Sequence, residues 1–538
     1  MSNIYENNER PGCKGRVILV NPGICGSPPF RFNEVGMYPN NAIQILGTIL
    51  HQDMFDVKIV DGRYVNVEDA IEQISGLADN DLIFVGFSIM TVQVKWSYLV
   101  SRGIKGRNSN IKVVWGGVHP SLFPEQMASD KHIDICVVND CASTISKIAY
   151  SLRDKTDISM IPGLCYKKDN RVVRAQPNLI QDDFANIPFV DFTIMNHKVY
   201  SRNNNIAAFS SVNNEYKNCI VYPINTALGC GFRCNFCINV ILKKKYKMRS
   251  AEEIVDRIRF LQKEFGANFI HLNDENFFSS KERTYQFVEL ILRNNIKIKW
   301  RPSVRANYFN KDYVNEGFVT ELEKSGMVIA VMGAESASQK TLDRLRKGIK
   351  VEDIHRAVEI LSKTKIIPRM SFMVGMPGET EEDIKETYRL AVELKEKYPT
   401  FQPVVCPFRL YPGSELYDMA INKYGYKPPE SLIDWVKLDD TEFNESLGYQ
   451  SFDYYGWITD KEIFRLRNNV HSTYWLVAWK ISPHAVNKGL KAKFKYLIIY
   501  ILYKLSSLRF KKEFYRLNFE EKLLRLFMKG TQRFQKKN

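Results

Sequence analysis

Apolar residues in the first 150 positions fall in short unbroken runs: RVILVN (16–21), VKIVD (57–61), LIFVGFS (82–88), KVVWGG (112–117) and IDICVV (133–138). Between them, stretches such as 41–51 and 91–105 carry apolar residues at helical spacing. Runs that do not alternate with polar residues suit strands buried on both faces. The pattern therefore predicts an α/β domain with a doubly wound, Rossmann-like parallel sheet. Ligands of such sheets sit beyond the carboxyl ends of the strands, which makes Ser88, Thr91, Gly116, Gly117 and His119 candidate contacts.

Residues 153–218 are irregular, with a hairpin expected over 163–173 around a polar Lys-Asp-Asn turn and a linker at NIPFVDF. From 219 the alternation resumes six times, with strands expected at 221–228, 268–273, 297–303, 327–333, 367–374 and 401–408. The helix over 250–265 opens with Ser250 and Glu253, a capping box, and Gly266 follows its end. Thr380 and Asp383 open another, which stops before Pro399. Six βα units make a partial (β/α)6 TIM-like barrel, with its chemistry expected in the loops at the C-terminal strand ends. After 420 the chain turns aromatic and mainly helical. The divisions expected are 1–152, 153–218, 219–420 and a C-terminal region, 421–538.

A length of 538 residues suits two or three domains, and 45% apolar with 25% charged residues is a globular balance. The net charge of +16 is concentrated: Lys480 to Asn538 holds 16 Lys/Arg against three Glu. A nucleic-acid-binding body is thus not implied, and no motif for one is visible. The tail mixes YLIIYILY, Phe510, Phe514, Leu517, Leu523 and Phe527 with its basic residues. It reads as a peripheral membrane-surface helix, as a helical cap on the barrel, or as a contact for an anionic substrate. No run approaches a membrane span and the first residues do not read as a secretory signal, so a cytoplasmic location is expected. The ten cysteines suit ligands and core positions better than a disulfide framework.

The chemistry concentrates in NTALGCGFRCNFCINV (225–240), where Cys230, Cys234 and Cys237 stand at spacings of four and three. Structural zinc and fully ligated ferredoxin-type clusters each want four ligands, and no second cysteine pair exists. Three unmetallated core cysteines are the bland alternative. An iron–sulfur cluster with one iron left open by the protein fits the spacing best, because an open iron is a place for a substrate.

Cys-x-x-x-Cys-x-aromatic-Cys, with Phe236 as the aromatic, resembles the signature of radical S-adenosylmethionine (SAM) enzymes. In that family the three cysteines hold a [4Fe–4S] cluster whose free iron chelates SAM. Reductive cleavage of SAM then yields a 5′-deoxyadenosyl radical that abstracts hydrogen. Further segments are similar to the cobalamin-binding subgroup: LNDENFF (272–278), VMGAES (331–336), FMVGMPGET (372–380) and LYPGSELY (410–417). The resemblance implies SAM contacts from Phe236, Asp274, Arg305, Gly333, Glu335, Ser336, Gly375 and Pro377. FVGFSIMT and VVWGGVHPSLFPEQ resemble the strand ends of that subgroup's cobalamin domain. Asp-x-His-x-x-Gly is missing, and Asn139-Asp140-Cys141-Ala142 stands where Gly-Glu-Gly-Glu is usual. His119 is then a loop residue that packs or touches a cofactor edge, not a cobalt ligand.

The resemblance implies cobalamin-dependent methyl transfer to an unactivated carbon of a small-molecule or lipid-like substrate. A low-potential donor such as flavodoxin or ferredoxin would serve as partner. Oxidative cyclisation or rearrangement with the same cofactors is the alternative, and a non-catalytic Fe–S sensor or electron carrier a distant one. Methylthiotransfer is disfavoured, because no second cysteine-bearing N-terminal domain and no C-terminal RNA-binding barrel is visible. No general acid or base follows from spacing.

Overall fold

The computed structural model describes residues 12–26, 29, 38–177, 184–202, 218–442, 455–480 and 490–516. Its first sheet has seven strands: β1 (Arg16–Asn21), β2 (Asp56–Asp61), β3 (Leu82–Ser88), β4 (Val113–Gly116), β5 (Ile135–Val137), β6 (Leu164–Lys168) and β7 (Arg171–Arg174). Their order is β2-β1-β3-β4-β5-β6-β7, the first five parallel and the last two antiparallel. Helices Asn41–Gln52 and Ile145–Asp154 cover one face, Val67–Leu77 and Val94–Arg107 the other. The expected helix at 91–105 begins as a 3-10 turn, Thr91–Gln93, because the Gln93 side chain is drawn to the Met90 N–H and the Pro22 carbonyl.

The hairpin β6–β7 extends this sheet and does not belong to a connecting segment. Asp169 and Asn170 turn it with positive φ at both positions, a geometry these residues tolerate. A short bridge leads on to the barrel, and in it Phe184 and Phe189 pack under the Arg249 guanidinium, 4.4 and 4.0 Å from the ring centroids.

Six parallel strand segments, in chain order, make the barrel wall. They are β8 (Val221–Ile224), β11 (Phe269–Leu272), β12 with β13 (Lys299–Arg301, Ser303–Val304), β14 (Ile329–Glu335), β15 (Ile367–Val374) and β16 (Gln402–Pro407). The third strand is interrupted at Pro302, which lacks an N–H, yet hydrogen bonds to residues 326–331 run past it. Ile270, Leu272, Trp300, Met332, Met370, Phe372 and Val405 face the surrounding helices in the main core. The alternate positions Val221, Phe269, Ile329 and Ile367 close the barrel's floor with Cys219. Two further segments, β9 (Ala227–Leu228) and β10 (Lys247–Met248), pair antiparallel across the base of the cysteine loop.

The C-terminal region divides its contacts. Helix Leu432–Glu442 lies on the first domain, where Leu432 and Trp435 join the core under helix Val94–Arg107. Helices Lys461–Lys480 and Leu490–Lys511 pack on barrel helix Glu381–Lys397: Tyr388 bonds to Asn468 and stacks on Phe510. The tail through residue 516 is therefore a cap on the barrel, while Leu517, Leu523 and Phe527 lie outside the described residues. Among the described residues, no helix is long and apolar enough to cross a membrane.

Candidate functional site

The cysteine loop springs from β9 at Gly229, whose φ is +69°. A Cβ there would stand 2.7 Å from the Lys245 carbonyl, so glycine permits the closure of β9 on β10. Gly231 faces open space and carries no such demand. The loop then winds tightly: the Cys237 N–H donates to the Cys234 carbonyl at 3.0 Å, and Cys237 caps helix Ile238–Ile241. Asn235 fastens it across the barrel, its N–H to the Leu345 carbonyl at 3.1 Å and its amide to the Arg344 carbonyl at 2.8 Å.

Burial pushes the Cys230 and Cys237 thiols up, and the three sulfurs act on one another electrostatically. A cation answers that cost. The Arg305 guanidinium lies on the Phe232 ring, 3.6 Å from its centroid, with Nη1 3.9 Å from Cys234 Sγ and Nη2 on the Lys347 carbonyl. Among the described residues no three His, Cys, Asp or Glu side chains converge on a single-ion position. A cluster needs no such convergence, since each thiolate binds its own iron. Three thiols on one tight loop beside a buried arginine fit an anionic cluster.

Asp274 has a different partner from the one the resemblance implies. Its carboxylate is buried; it accepts from the N–H groups of Thr226 and Ala227 at 2.7 and 2.9 Å and from the Thr226 hydroxyl, with Arg283 at 3.8 Å. Burial lifts it to about 6. It locks the root of the cysteine loop and presents no free oxygen to SAM. Ser336 is likewise turned into protein, its hydroxyl 3.2 Å from that of Thr387.

Glu335 does face the barrel mouth. A register shift between Gly333 and Glu335 ends β14, and Glu335 has φ +67°. Its carboxylate meets Lys347 Nζ at 2.7 Å, directly over Gly333, where any Cβ would collide with it. Gly375, with φ +80°, lies under the Phe464 ring, and its carbonyl accepts from Trp457 Nε1 at 2.8 Å; Pro377 beside it is buried. This stretch is covered by C-terminal side chains, and they fill the space a Gly375 side chain would need. Phe236 packs with Leu345, Met376, Phe408 and Leu410, an apolar wall beside the cysteines.

In the first domain, the strand order reverses at β1 and β3, which puts the crevice beyond their carboxyl ends, beside Ser88, Thr91 and the exposed Met90. Gly117 has φ +99° and brings the loop after β4 against Ile89, where a Cβ would lie 2.6 Å from the Ile89 nitrogen. Gly116 meets only ordinary contacts. His119 packs and is not a candidate contact: it is wholly buried, enclosed by Phe123 and by Trp435, whose ring centroid is 4.7 Å away in a T-shaped contact. Burial drops it to about 3, so it is neutral. Its Nδ1 lies 3.3 Å from Thr91 Oγ1, while Nε2 has no hydrogen-bond partner. It offers no face to a corrin.

The two domains meet through their strand-end loops. Lys244, just after the cysteines, pairs with Asp140 beyond β5 at 3.2 Å. Gly413 of LYPGSELY sits between Ile241 of the cysteine loop and Leu122 of the first domain; a Cβ there would come within 2.9 and 3.4 Å of them. Asn273 beyond β11 donates to Asn41 at 2.8 Å. Lys347 and Arg283 escape sequence reasoning because no periodic pattern ties them to Glu335 and Asp274 across the intervening loops, and Trp435 because it lies more than 300 positions from His119. By contrast, a cavity of about 430 Å³ opens at the opposite end of the barrel, lined by Asn218, Cys219, Asn268, Lys299 and Gly326, on the outer side of the floor.

Comparison with known proteins bears on both halves. Residues 224–391 match the radical SAM superfamily, and residues 34–149 match the B12 binding domain. An uncharacterised methyltransferase of Pyrococcus horikoshii is 28% identical over 369 residues, 68% of this chain and 75% of that protein. The anaerobic magnesium-protoporphyrin IX monomethyl ester cyclase of Synechocystis is 22% identical over 444 residues, 79% of this chain and 84% of that protein. The solved structure of OxsB, a cobalamin-dependent SAM radical enzyme with aqua-cobalamin and SAM bound, aligns with a TM-score of 0.60 at 16% identity. That alignment covers 96% of this chain and 75% of the other, and at such identity it is a likeness of fold.

Proposed function

We propose that this chain, which joins a B12-binding domain to a radical SAM domain, transfers a methyl group to an unactivated carbon of a small-molecule or lipid-like substrate. The observation that carries the reading is the Lys244–Asp140 contact with Gly413 beside it, which sets the cysteine loop against the strand-end loops of the first domain. Bound at these two edges, a [4Fe–4S] cluster with SAM supplies hydrogen abstraction and cobalamin a transferable methyl group.

The chain's own residues do the rest. Cys230, Cys234 and Cys237 ligate the cluster, and Arg305 offsets its charge. Asn235 and Asp274 fix the loop from opposite ends. Phe236 and its apolar neighbours exclude water, which strengthens every charge interaction at the mouth. Gly333 and Glu335 form the polar lip offered to SAM, with Lys347 holding the carboxylate in place. Ser88 and Thr91 flank the place for cobalamin.

Anaerobically purified protein should contain iron, sulfide and cobalamin, and after reduction it should form 5′-deoxyadenosine. With methyl-labelled SAM the label should enter the product. Triple Cys→Ala at 230, 234 and 237 should abolish cluster and 5′-deoxyadenosine together; retention of either sinks the assignment. The second reading, oxidative cyclisation, draws on the cyclase relative, and a product that has lost hydrogen without gaining label would establish it instead. A flavodoxin or ferredoxin is the reductant we propose, in the cytoplasm. A peripheral membrane contact would use Leu497, Ile501 and Leu508, which stand about half exposed on the basic helix Leu490–Lys511.

A further inference from the structure

The inner wall of the barrel carries positive charge that the chemistry above does not use. Alternation along the strands turns His271, Arg301, Arg369, Ser371 and Cys406 inward, because their neighbours Ile270, Leu272, Trp300, Met370, Phe372 and Val405 belong to the outer core. His271 and Arg301 are register partners, and Arg301 Nη2 lies 3.0 Å from the His271 ring nitrogen Nε2. Burial and Arg301 keep His271 neutral, so this partner adds no negative charge. Arg301 is pulled down to about 10 by burial and by Arg369, and no carboxylate among the described residues acts on it. Its Nε is buried without a hydrogen-bond partner. Next to Arg369 across the sheet, Gln402 has a buried amide oxygen without one either. Burial pushes the Cys406 thiol up; Arg369 and Arg409 act against that, and the Glu335 carboxylate, which Lys347 holds at the mouth, acts with it. Ser371 and Cys406 are exposed to solvent although they point into the barrel, so the chamber is open and wet.

A buried guanidinium such as Arg301, with an unpartnered Nε and a second cation acting on it above an apolar floor, is costly unless an anion answers it. We propose that the barrel chamber binds an oxyanion group of the substrate, a phosphate or a carboxylate, between Arg301 and Arg369. This rests on the reading of the barrel mouth as the reaction site and adds a substrate class to it. Arg369 lies on the order of 15 Å along β15 from the strand end. The anion therefore anchors one end of the substrate while the other reaches the mouth. Guanidinium groups suit both oxyanions through paired N–H donors.

Cys406 is a built-in reporter of the chamber. In the reconstituted wild-type holoenzyme, alkylation of Cys406 is followed by peptide mass spectrometry with anionic iodoacetate and neutral iodoacetamide. The iodoacetate-to-iodoacetamide rate ratio at Cys406 should exceed that at Cys13 by about tenfold. Inorganic phosphate, succinate or both should slow the reaction saturably; which one does so tells a phosphate site from a carboxylate site. Arg301→Gln and Arg369→Gln, each with cluster content verified, should lower the ratio and weaken the protection. Equal ratios at the two cysteines, or protection by neither anion, overturns the proposal without recourse to any variant. The effect of SAM on the cluster's electron paramagnetic resonance spectrum is recorded on the same preparation. A missing SAM effect would count against the enzyme reading, whereas a missing anion effect with the SAM effect intact would count against the chamber alone.

Discussion

Glu379 is a buried carboxyl group at the turn after β15. One oxygen accepts from the N–H groups of Gly375 and Met376 at 2.7 and 2.9 Å, and the other has no partner. Burial lifts it to about 8, above the ordinary 4.5. The folded protein thus holds this proton more tightly than the unfolded chain does. Its stabilising contribution is complete below the ordinary value and fades as pH rises through about 8. Thermal unfolding between pH 5 and 9 should show that decline, and Glu379→Gln should remove a part on the order of a few kcal/mol. An unchanged pH profile in the variant would refute the assignment. At the same scale, the cluster cysteines are legible because their spacing is itself the chemical requirement. Glu379 shows in the sequence only as part of a helix start, since nothing in MPGET reveals a missing partner.

The elements are the most legible level. Strands β1, β3 and β15 occupy the residues their apolar runs mark, and both capping boxes form, Ser250 with Glu253 and Thr380 with Asp383. Ser250→Ala should cost about 1 kcal/mol in thermal or denaturant unfolding and leave cluster content unchanged. Asp274→Asn tests a different role. It removes the charge facing buried Arg283 and loosens Thr226 and Ala227, so it should cost about 3 kcal/mol and lower iron content together. Iron content equal to wild type would show that the loop does not depend on this lock. Two element details are not legible: the end of the first barrel strand and the irregularity of β14. In the first, residues 225–226 leave the sheet because Asp274 captures the Thr226 and Ala227 N–H groups. In the second, the register shift turns Glu335 toward Lys347, a residue that no local pattern ties to the strand.

At the scale of the whole molecule, the C-terminal region ties the two domains into one body. Trp435 closes over His119 and donates to Gln126 at 3.0 Å, while Phe464 and Trp457 cover Gly375 in the barrel. Trp435→Ala should cost about 4 kcal/mol by the cavity it leaves, and should open His119 to diethyl pyrocarbonate, read by mass spectrometry. A His119 that stays unreactive in the variant would mean that Phe123 alone encloses it. Of the two roles open to His119, packing or touching a cofactor edge, it takes the first, because its surroundings come in part from a helix more than 300 positions away. The basic tail shows the same dependence: Glu513 pairs with Arg389 and Lys385, and Lys511 with Glu396, which holds the tail against the barrel.

By itself the sequence determined whatever depends on neighbours along the chain: the buried strands, the helix caps, and a three-cysteine loop with room for an open iron. Those features come from spacing and local hydrogen bonding, which a linear pattern contains. Tertiary structure alone decided which polar groups are spent inside the protein and which remain available for chemistry. Asp274, Ser336 and His119 were spent on contacts inside the protein, and Arg301 and Arg369 came to act on each other on the inner wall of the barrel. Desolvation and pairing depend on what arrives from distant segments, and that is settled only when the chain closes on itself.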